Sequence, residues 1–432
     1  MTATDLLTGR GTRLEVRAHD GKPLQLLVRP SAVRLPDNAP RRERPRPVEL
    51  RDADYDKKFD FDTMFYDVFR SGDDVIAIGP PLLNLRDPAA QWRYDADGAT
   101  VPLPRFITMH GNQRAVFRRF AGRELGITAP GSVPVVAEVG ADLAPYFSGT
   151  RAVTTVQLDN KLEWISDWVR WHHRSQGTDA VVVYDNGSTH YSLDELLDAI
   201  SLPGVRVAAV IDWPFRYGPQ GSDVLPWDSA FAQAGAIEHA RRRVLRLAAG
   251  MLSIDIDEMV HPINGRDVYQ LAAESAFGMA RFHGTWAYAN PAAPPAAPVH
   301  TDCRWVHPLD EPTERKWCAV PRRIPERAQL IVHSGRGVPA PPSWSSGFWH
   351  MRPISTSWKV DRAGFDRPRD TYALEPSLDE QLRTYLGSDL GAAPGRRPSP
   401  WPVVLLRRAV DLAGYAWFHS RDYVHRFRAT HR

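Results

Sequence analysis

The chain has 432 residues, with 54 Lys and Arg against 51 Asp and Glu, a net charge of +3 and 43% hydrophobic residues. That composition excludes a disordered chain, and with no basic helix or Arg–aromatic repeat it argues against a nucleic-acid polymer as partner. Cys303 and Cys318 are the only two cysteines, which excludes a disulfide framework and a Cys-x-x-Cys zinc site; the absence of an apolar run of about 18 residues, and of a signal-peptide core near the start, makes the cytoplasm the expected setting.

Residues 1–150 read as a small all-β domain. Short apolar runs at 14–18, 24–28, 75–78, 106–109 and 135–139 are separated by turn signals such as Asp20-Gly21, Ser71-Gly72-Asp73 and Pro130-Gly131. The Pro- and Arg-rich stretch 40–47 reads as a solvated surface loop. From residue 153 the pattern becomes alternating strand and helix. A strand at 153–158 leads to a helix ending near residue 173, with Asn160 as its expected cap. On that helix Trp164, Trp168 and Trp171 share one face, an aromatic core stripe. An apolar strand at 181–184 ends in Asp185-Asn186-Gly187-Ser188, a helix follows at 193–200, and another strand at 205–211. A Trp-, Pro- and Gly-rich loop at 212–228 precedes a long helix over 229–247 that carries Arg241, Arg242, Arg243 and Arg246.

The next stretch, LSIDIDEMVH at 252–261, reads as a buried strand delivering Asp255, Asp257 and Glu258 at its carboxyl end. Carboxylates at i and i+2 of an extended chain point to one side, and like charges held so close call for a cation between them. Oxygen donors suit Mg²⁺ or Mn²⁺ bridging to substrate phosphates. In open α/β sheets ligands gather at the carboxyl ends of strands, which joins Asp185 to Asp255 and Asp257. Beyond the motif the sequence predicts a helix at 265–281, strands at 282–288, 316–320 and 329–333, and a polar-aromatic region holding His333, Trp344, Trp349, His350, Arg352, Trp358 and Lys359. A helix at 377–386 follows. The segment 401–432 interleaves apolar residues with arginines, as in a helix lying on an anionic membrane surface or packing on the preceding domain. The expected division is a β-rich domain at 1–150, an α/β domain at 151–375 and a helical C-terminal segment at 376–432.

Residues 158–189, LDNKLEWISDWVRWHHRSQGTDAVVVYDNGST, resemble the first βαβ unit of glycosyltransferase family 92 and the related bacterial family-2-like glycosyltransferases. HARRRV followed by SIDIDEMVH is similar to their second signature. Lys316 with Ala319-Val320-Pro321-Arg322, and FWHMRPISTSWK, look like their closing elements. The likeness covers about 151–362. Met259 stands where the family usually has Phe, and Asn160-Lys161 where it has Asn-Glu. The resemblance implies a GT-A fold, a Rossmann-like nucleotide-sugar-binding domain, that transfers a sugar from a nucleotide-diphosphate donor, a UDP-sugar first, to a glycan or glycolipid hydroxyl. It implies that Asp185, with Asn186 and Ser188, meets the nucleotide, that Asp255 and Asp257 hold Mn²⁺ or Mg²⁺ on the diphosphate with His350 as a third ligand, and that Lys316, Arg352 and Lys359 steady the diphosphate, with His333 nearby. For the catalytic base, Asp302, Asp310, Glu311 and Glu314 lie in the right part of the chain; Asp302 and Glu314 are carried forward, and spacing does not choose among the four.

Two other readings stand beside this one. A haloacid-dehalogenase-like phosphatase also uses Asp-x-Asp, but on the chain's first strand, whereas here several strands come first. A carbohydrate-binding protein without catalysis would use tryptophans such as Trp344 and Trp349 as stacking surfaces. The expected setting for the transferase is cytoplasmic, at the inner face of the membrane if residues 401–428 touch lipid.

Overall fold

The computed structural model describes residues 14–36, 38–219, 230–339, 342–356 and 364–387, with the backbone alone at 342–345. Its centre is a ten-stranded mixed sheet. We number its strands in chain order: β1 (Leu14–Arg17), β2 (Leu24–Val28), β3 (Arg151–Gln157), β4 (Ala180–Asp185), β5 (Val207–Asp212), β6 (Gly250–Ser253), β7 (Glu258–Val260), β8 (Met279–Ala287), β9 (Lys316–Ala319) and β10 (Pro342–Met351). Across the sheet the order is β1-β2-β5-β4-β3-β6-β9-β8-β10-β7. From β2 to β6 the neighbours run parallel. Strand β9 runs antiparallel to both of its neighbours, β6 and β8.

Beyond residue 150 the α-helices are α1 (Leu162–Gln176), α2 (Leu193–Ile200), α3 (Phe231–His239), α4 (Val268–Glu274) and α5 (Pro376–Leu386). The parallel strands are apolar on both faces, as burial under helices on both sides requires. On one face Val153, Val181, Val183 and Leu252 meet α1, α2, α4 and α5, and the stripe of Trp164, Trp168 and Trp171 is core here. On the other face Ala152, Val182, Tyr184 and Met251 meet Ala232, Ala236 and Ile237 of α3.

Residues 14–28 correct the expected division of the chain. Strand β2 pairs with β5, in parallel, and so belongs to the main sheet rather than to the β-rich domain. Its LQLLV lacks polar alternation because Leu27 enters one core and Leu26 and Val28 the other. The rest of the β-rich region forms two four-stranded antiparallel sheets around one shared core that includes Val68, Ala77, Phe117, Tyr94 and Ile127. At the other end, Leu378 and Leu382 of α5 sit in the same core as Trp168, and Arg174 donates to the carbonyls of Tyr385 and Gly387 at 2.9 Å each. A boundary at 375 therefore cuts through packed structure. The tail at 401–432 lies outside the described residues.

Local details also differ from expectation. Lys161, not Asn160, precedes α1, and no side chain caps that end. The helix expected over 265–281 stops at Glu274, because Gly278 turns the chain with φ +69° and strand β8 begins directly after it. The long helix over 229–247 is α3 followed by a π turn over Ala240–Val244.

That π turn presents its arginines to different carbonyls and carboxylates. Arg241 donates to the carbonyls of Ile324, Pro325 and Ala328, and Arg242 pairs with Glu238 at 2.8 Å. Arg243 reaches Asp67 of the sandwich at 2.6 Å, and Arg246 reaches Asp142 at 2.5 Å. Asp67 also accepts from His239 at 2.7 Å and from the Ser31 amide at 2.8 Å, and all three side chains of this cluster are fully buried. Burial alone would raise the Asp67 carboxyl; the charge of Arg243 and the His239 hydrogen bond overcome it and hold the group at about 2.

Two outcomes follow from this junction. A chain beginning at Thr150 loses β2 and leaves Arg243 buried without its carboxylate, so it is expected to show no cooperative melting transition. The depressed Asp67 carboxyl adds stability that is complete above its ordinary value of 3.8 and is lost as pH falls toward 2. The gap in unfolding free energy between wild type and Asp67→Asn, measured by denaturant titration, is expected to narrow through that window.

Candidate functional site

Strand β6 ends at Ser253, two residues before Asp255, so Asp255 and Asp257 stand on a turn rather than along a strand, and Glu258 opens β7. The turn is closed by its own members: the Glu258 amide donates to the Asp255 carbonyl at 3.1 Å, and the Asp255 amide donates to the Glu258 carboxylate at 2.9 Å. The chain then crosses to the sheet edge, where Glu258 pairs with His350 in the register of β7 and β10. The FWHM stretch thus sets His350 beside the acidic turn. Strand β3 lies between β4 and β6, so the order reverses there, the position where open α/β sheets bind ligands.

An open cavity of about 650 Å³ lies over this end of the sheet. Asp255, Asp257 and Glu258 line it together with Glu314, His333, His350 and Arg352. Lys316 is buried beneath the turn, its ammonium 2.6 Å from Asp255 and 2.9 Å from Glu258. Burial alone would lower the Lys316 ammonium; the two facing carboxylates raise it instead, so it stays charged. Burial raises the Glu258 carboxyl, with Lys316 opposing. Lys316 therefore balances the turn from below rather than facing the cavity as a free cation.

His350 donates from Nε2 to Asp257 at 3.1 Å, and its ring stacks on Trp286 at 4.1 Å between centroids. Arg352 is matched by Asp366, its NH2 2.7 Å from Oδ1, and lies 5.7 Å from the Trp286 ring. His333 meets the Arg315 carbonyl at 3.1 Å through Nδ1.

The four carboxylates weighed as base are separated by the fold. Asp302 caps its own 3-10 turn by accepting from the Val299 amide at 2.9 Å, and it does not line the cavity. Asp310 accepts from the Tyr288 hydroxyl at 2.6 Å, and Glu311 is exposed outside the cavity. Glu314 lines the cavity, and no described residue donates a hydrogen bond to its carboxylate.

Asp185 stands at the end of β4 with its carboxylate engaged by the turn that follows. It accepts from the amides of Gly187 at 3.2 Å and Ser188 at 2.9 Å, from the Ser188 hydroxyl at 2.6 Å, and from Gln157. Burial raises it, and the Ser188 bonds oppose that. Asn186 donates to the carbonyls of Trp213 at 2.7 Å and Phe215 at 2.9 Å. Asp185, Asn186 and Ser188 thus shape the strand end and are not brought to the cavity wall. Trp349 is buried and donates to Gln381 at 2.9 Å, which removes it as a stacking surface. Lys359 and Trp358, and the side chain of Trp344, lie outside what is described.

Among the described residues no three His, Cys, Asp or Glu side chains form a ready metal cage. The donor pair Asp257 and His350 nevertheless fits a divalent ion. Their facing atoms are 3.1 Å apart, close to the spacing of about 3 Å that neighbouring ligands take around an octahedral ion bound at about 2.1 Å. Such ions commonly take one or two protein donors and fill the rest from phosphate and water. Trp286, Gln233, Tyr217 and Asp366 also line the cavity. Sequence reasoning did not select them, because none belongs to a spaced motif and each reaches the wall from a different element.

Compared with family models and with curated proteins, the chain matches none. Among the described residues no helix is long and apolar enough to cross a membrane.

Replacing Lys316 with Met leaves the buried Glu258 and the neighbouring Asp255 without their cation. Breaking one side of a buried pair costs about 3–5 kcal/mol. Denaturant unfolding of Lys316→Met is expected to show a loss of that order, partly recovered in Lys316→Met/Glu258→Gln.

Proposed function

We propose that the chain is a metal-dependent glycosyltransferase of the GT-A kind, moving a sugar from a nucleotide-diphosphate-sugar, a UDP-sugar first, to a hydroxyl of a glycan or glycolipid. Cell-surface polysaccharide synthesis is the setting this suggests. The observation that carries the reading is the acidic turn after β6: it stands where the parallel strand order reverses, faces a cavity large enough for a nucleotide, and has His350 held against Asp257. The resemblance of 151–362 to glycosyltransferase family 92 supports the same reading.

Asp257 and His350 would hold Mn²⁺ or Mg²⁺, with Asp255 beside them. When bound, the ion would neutralise charge on the diphosphate as the glycosidic bond breaks. Lys316 keeps Glu258 and Asp255 from repelling each other, so the turn persists before any ligand arrives. Glu314 takes the proton of the acceptor hydroxyl, since its carboxylate faces the cavity uncommitted. Trp286, steadied by His350, offers an aromatic wall on that side of the cavity.

The first test is a thermal-shift panel of nucleotides and nucleotide-sugars on the full chain, with and without Mn²⁺. A rise in melting temperature confined to nucleotide with metal is expected. Asp257→Asn should abolish the metal-dependent part, and full transfer in excess chelator would sink the metal role. Glu314→Gln is expected to lower kcat by about 10²–10⁴-fold with donor affinity little changed. A loss of donor affinity instead would move Glu314 out of the base role.

A further inference from the structure

Trp286 stands at the cavity wall with one face taken. It lies on β8, where the register of the parallel pair sets it directly across from His350 of β10, and the two rings stack with 20° between their planes. On the other side of β8 the neighbouring strand does not reach this far: β9 begins at Lys316, opposite Phe282. Before that point the chain is tied to β8 at Gly284, whose carbonyl accepts from the Thr313 amide at 3.0 Å and whose amide donates to the Thr313 hydroxyl at 3.2 Å. The indole face away from His350 is therefore turned toward the Thr313–Glu314 segment. Trp286, Thr313 and Glu314 all line the cavity.

The groups around the ring favour a neutral ligand. Arg352 and Asp366 meet fork to fork at 2.7 and 2.5 Å, so the guanidinium beside the indole is balanced by its own carboxylate. Lys316 is held by Asp255 and Glu258. Glu314 brings a carboxylate, and Ser355 and Thr356 bring hydroxyls to the same cavity. A phosphate oxygen placed here would meet the Glu314 charge, whereas an uncharged ligand rich in hydroxyls would not. A pyranose sugar has that character: its C–H faces are apolar and its edge is a belt of hydroxyls. An aromatic face accepts the first, and carboxylates and hydroxyls bind the second.

We propose that the acceptor group is itself a pyranose sugar, stacked on the Trp286 face opposite His350 with one hydroxyl at Glu314. The proposal rests on the reading of the cavity as a transferase site, and it narrows the attacking hydroxyl to that of a sugar rather than of a lipid or a protein side chain. His350 then serves both substrates: its Nε2 faces Asp257, and its ring backs the acceptor platform.

The test is saturation-transfer NMR on the full chain with methyl β-D-glucopyranoside, methyl β-D-galactopyranoside and methyl α-D-mannopyranoside, each alone and with UDP and Mn²⁺. At least one glycoside is expected to bind, with the strongest transfer to the carbon-bound protons of one pyranose face, and to stay bound in UDP and Mn²⁺. Trp286→Ala should weaken that binding about tenfold or more, and Trp286→Phe, which keeps a smaller ring, should weaken it less. If Trp286→Ala folds poorly, the face pattern in wild type and the Trp286→Phe titration still decide. No glycoside binding by wild type, transfer spread evenly over both faces, or equal binding by wild type and both variants overturns the subsite. Displacement of the glycoside by UDP with Mn²⁺ also overturns it, because the nucleotide would then occupy the indole. UDP binding without any glycoside binding removes this acceptor and leaves the transferase reading standing. Trp286-dependent glycoside binding with no nucleotide binding under any condition upholds Trp286 as a sugar platform and removes the transferase reading.

Discussion

A single buried carboxylate ties the molecule together. Asp67 stands on the sandwich, Arg243 and His239 on the segment that leads into the acidic turn, and water reaches none of them. A charge taken that far from solvent is tolerable only beside its partner, and removing either side leaves the other stranded. The His239 ring also meets the Tyr184 hydroxyl of β4 at 2.7 Å. One cluster therefore connects the sandwich, the central sheet and the helix whose far end opens on the cavity. Glu238, buried with Arg114 at 3.2 Å and Arg242 at 2.8 Å, makes a second such connection from the same helix to the sandwich. Residues before 150 are thus part of the scaffold that orients the site.

The same physics governs the cavity at a smaller scale. Three carboxylates within four residues of chain would repel one another in a partly buried turn. Lys316, delivered by the antiparallel strand β9 inserted beside β6, cancels much of that charge from beneath. What remains facing outward is Asp257 with His350.

The arginine run of the 241–246 segment shows why charge in a sequence does not reveal its use. Read as a string, it resembles an anion-binding face. In the fold every one of these guanidiniums is held by carbonyls or carboxylates of the protein itself, Arg241 and Arg242 sharing Glu238, because a π turn and the close approach of three chain segments present acceptors in several directions.

The alternation of strand and helix, the Trp stripe of α1 and the position of the acidic cluster after an apolar strand were legible in the sequence because each depends on local period or composition, and burial enforces those locally; the turn that carries Asp255 and Asp257 was not. The pairing of β2 with β5 was not, since a short apolar run does not say which sheet will cover it on both sides. The neighbourhood of His350 and Asp257, the placement of Glu314 rather than Asp302 on the cavity wall, and the commitment of Asp185 to its own turn were also decided only by tertiary structure. Each depends on residues tens of positions apart meeting in space, and on hydrogen-bond donors that nearby chain either supplies or withholds. The sequence by itself determined which side chains exist to do chemistry. The tertiary structure decided which of them remain uncommitted, because a charge already satisfied within the fold is not free to act on a ligand.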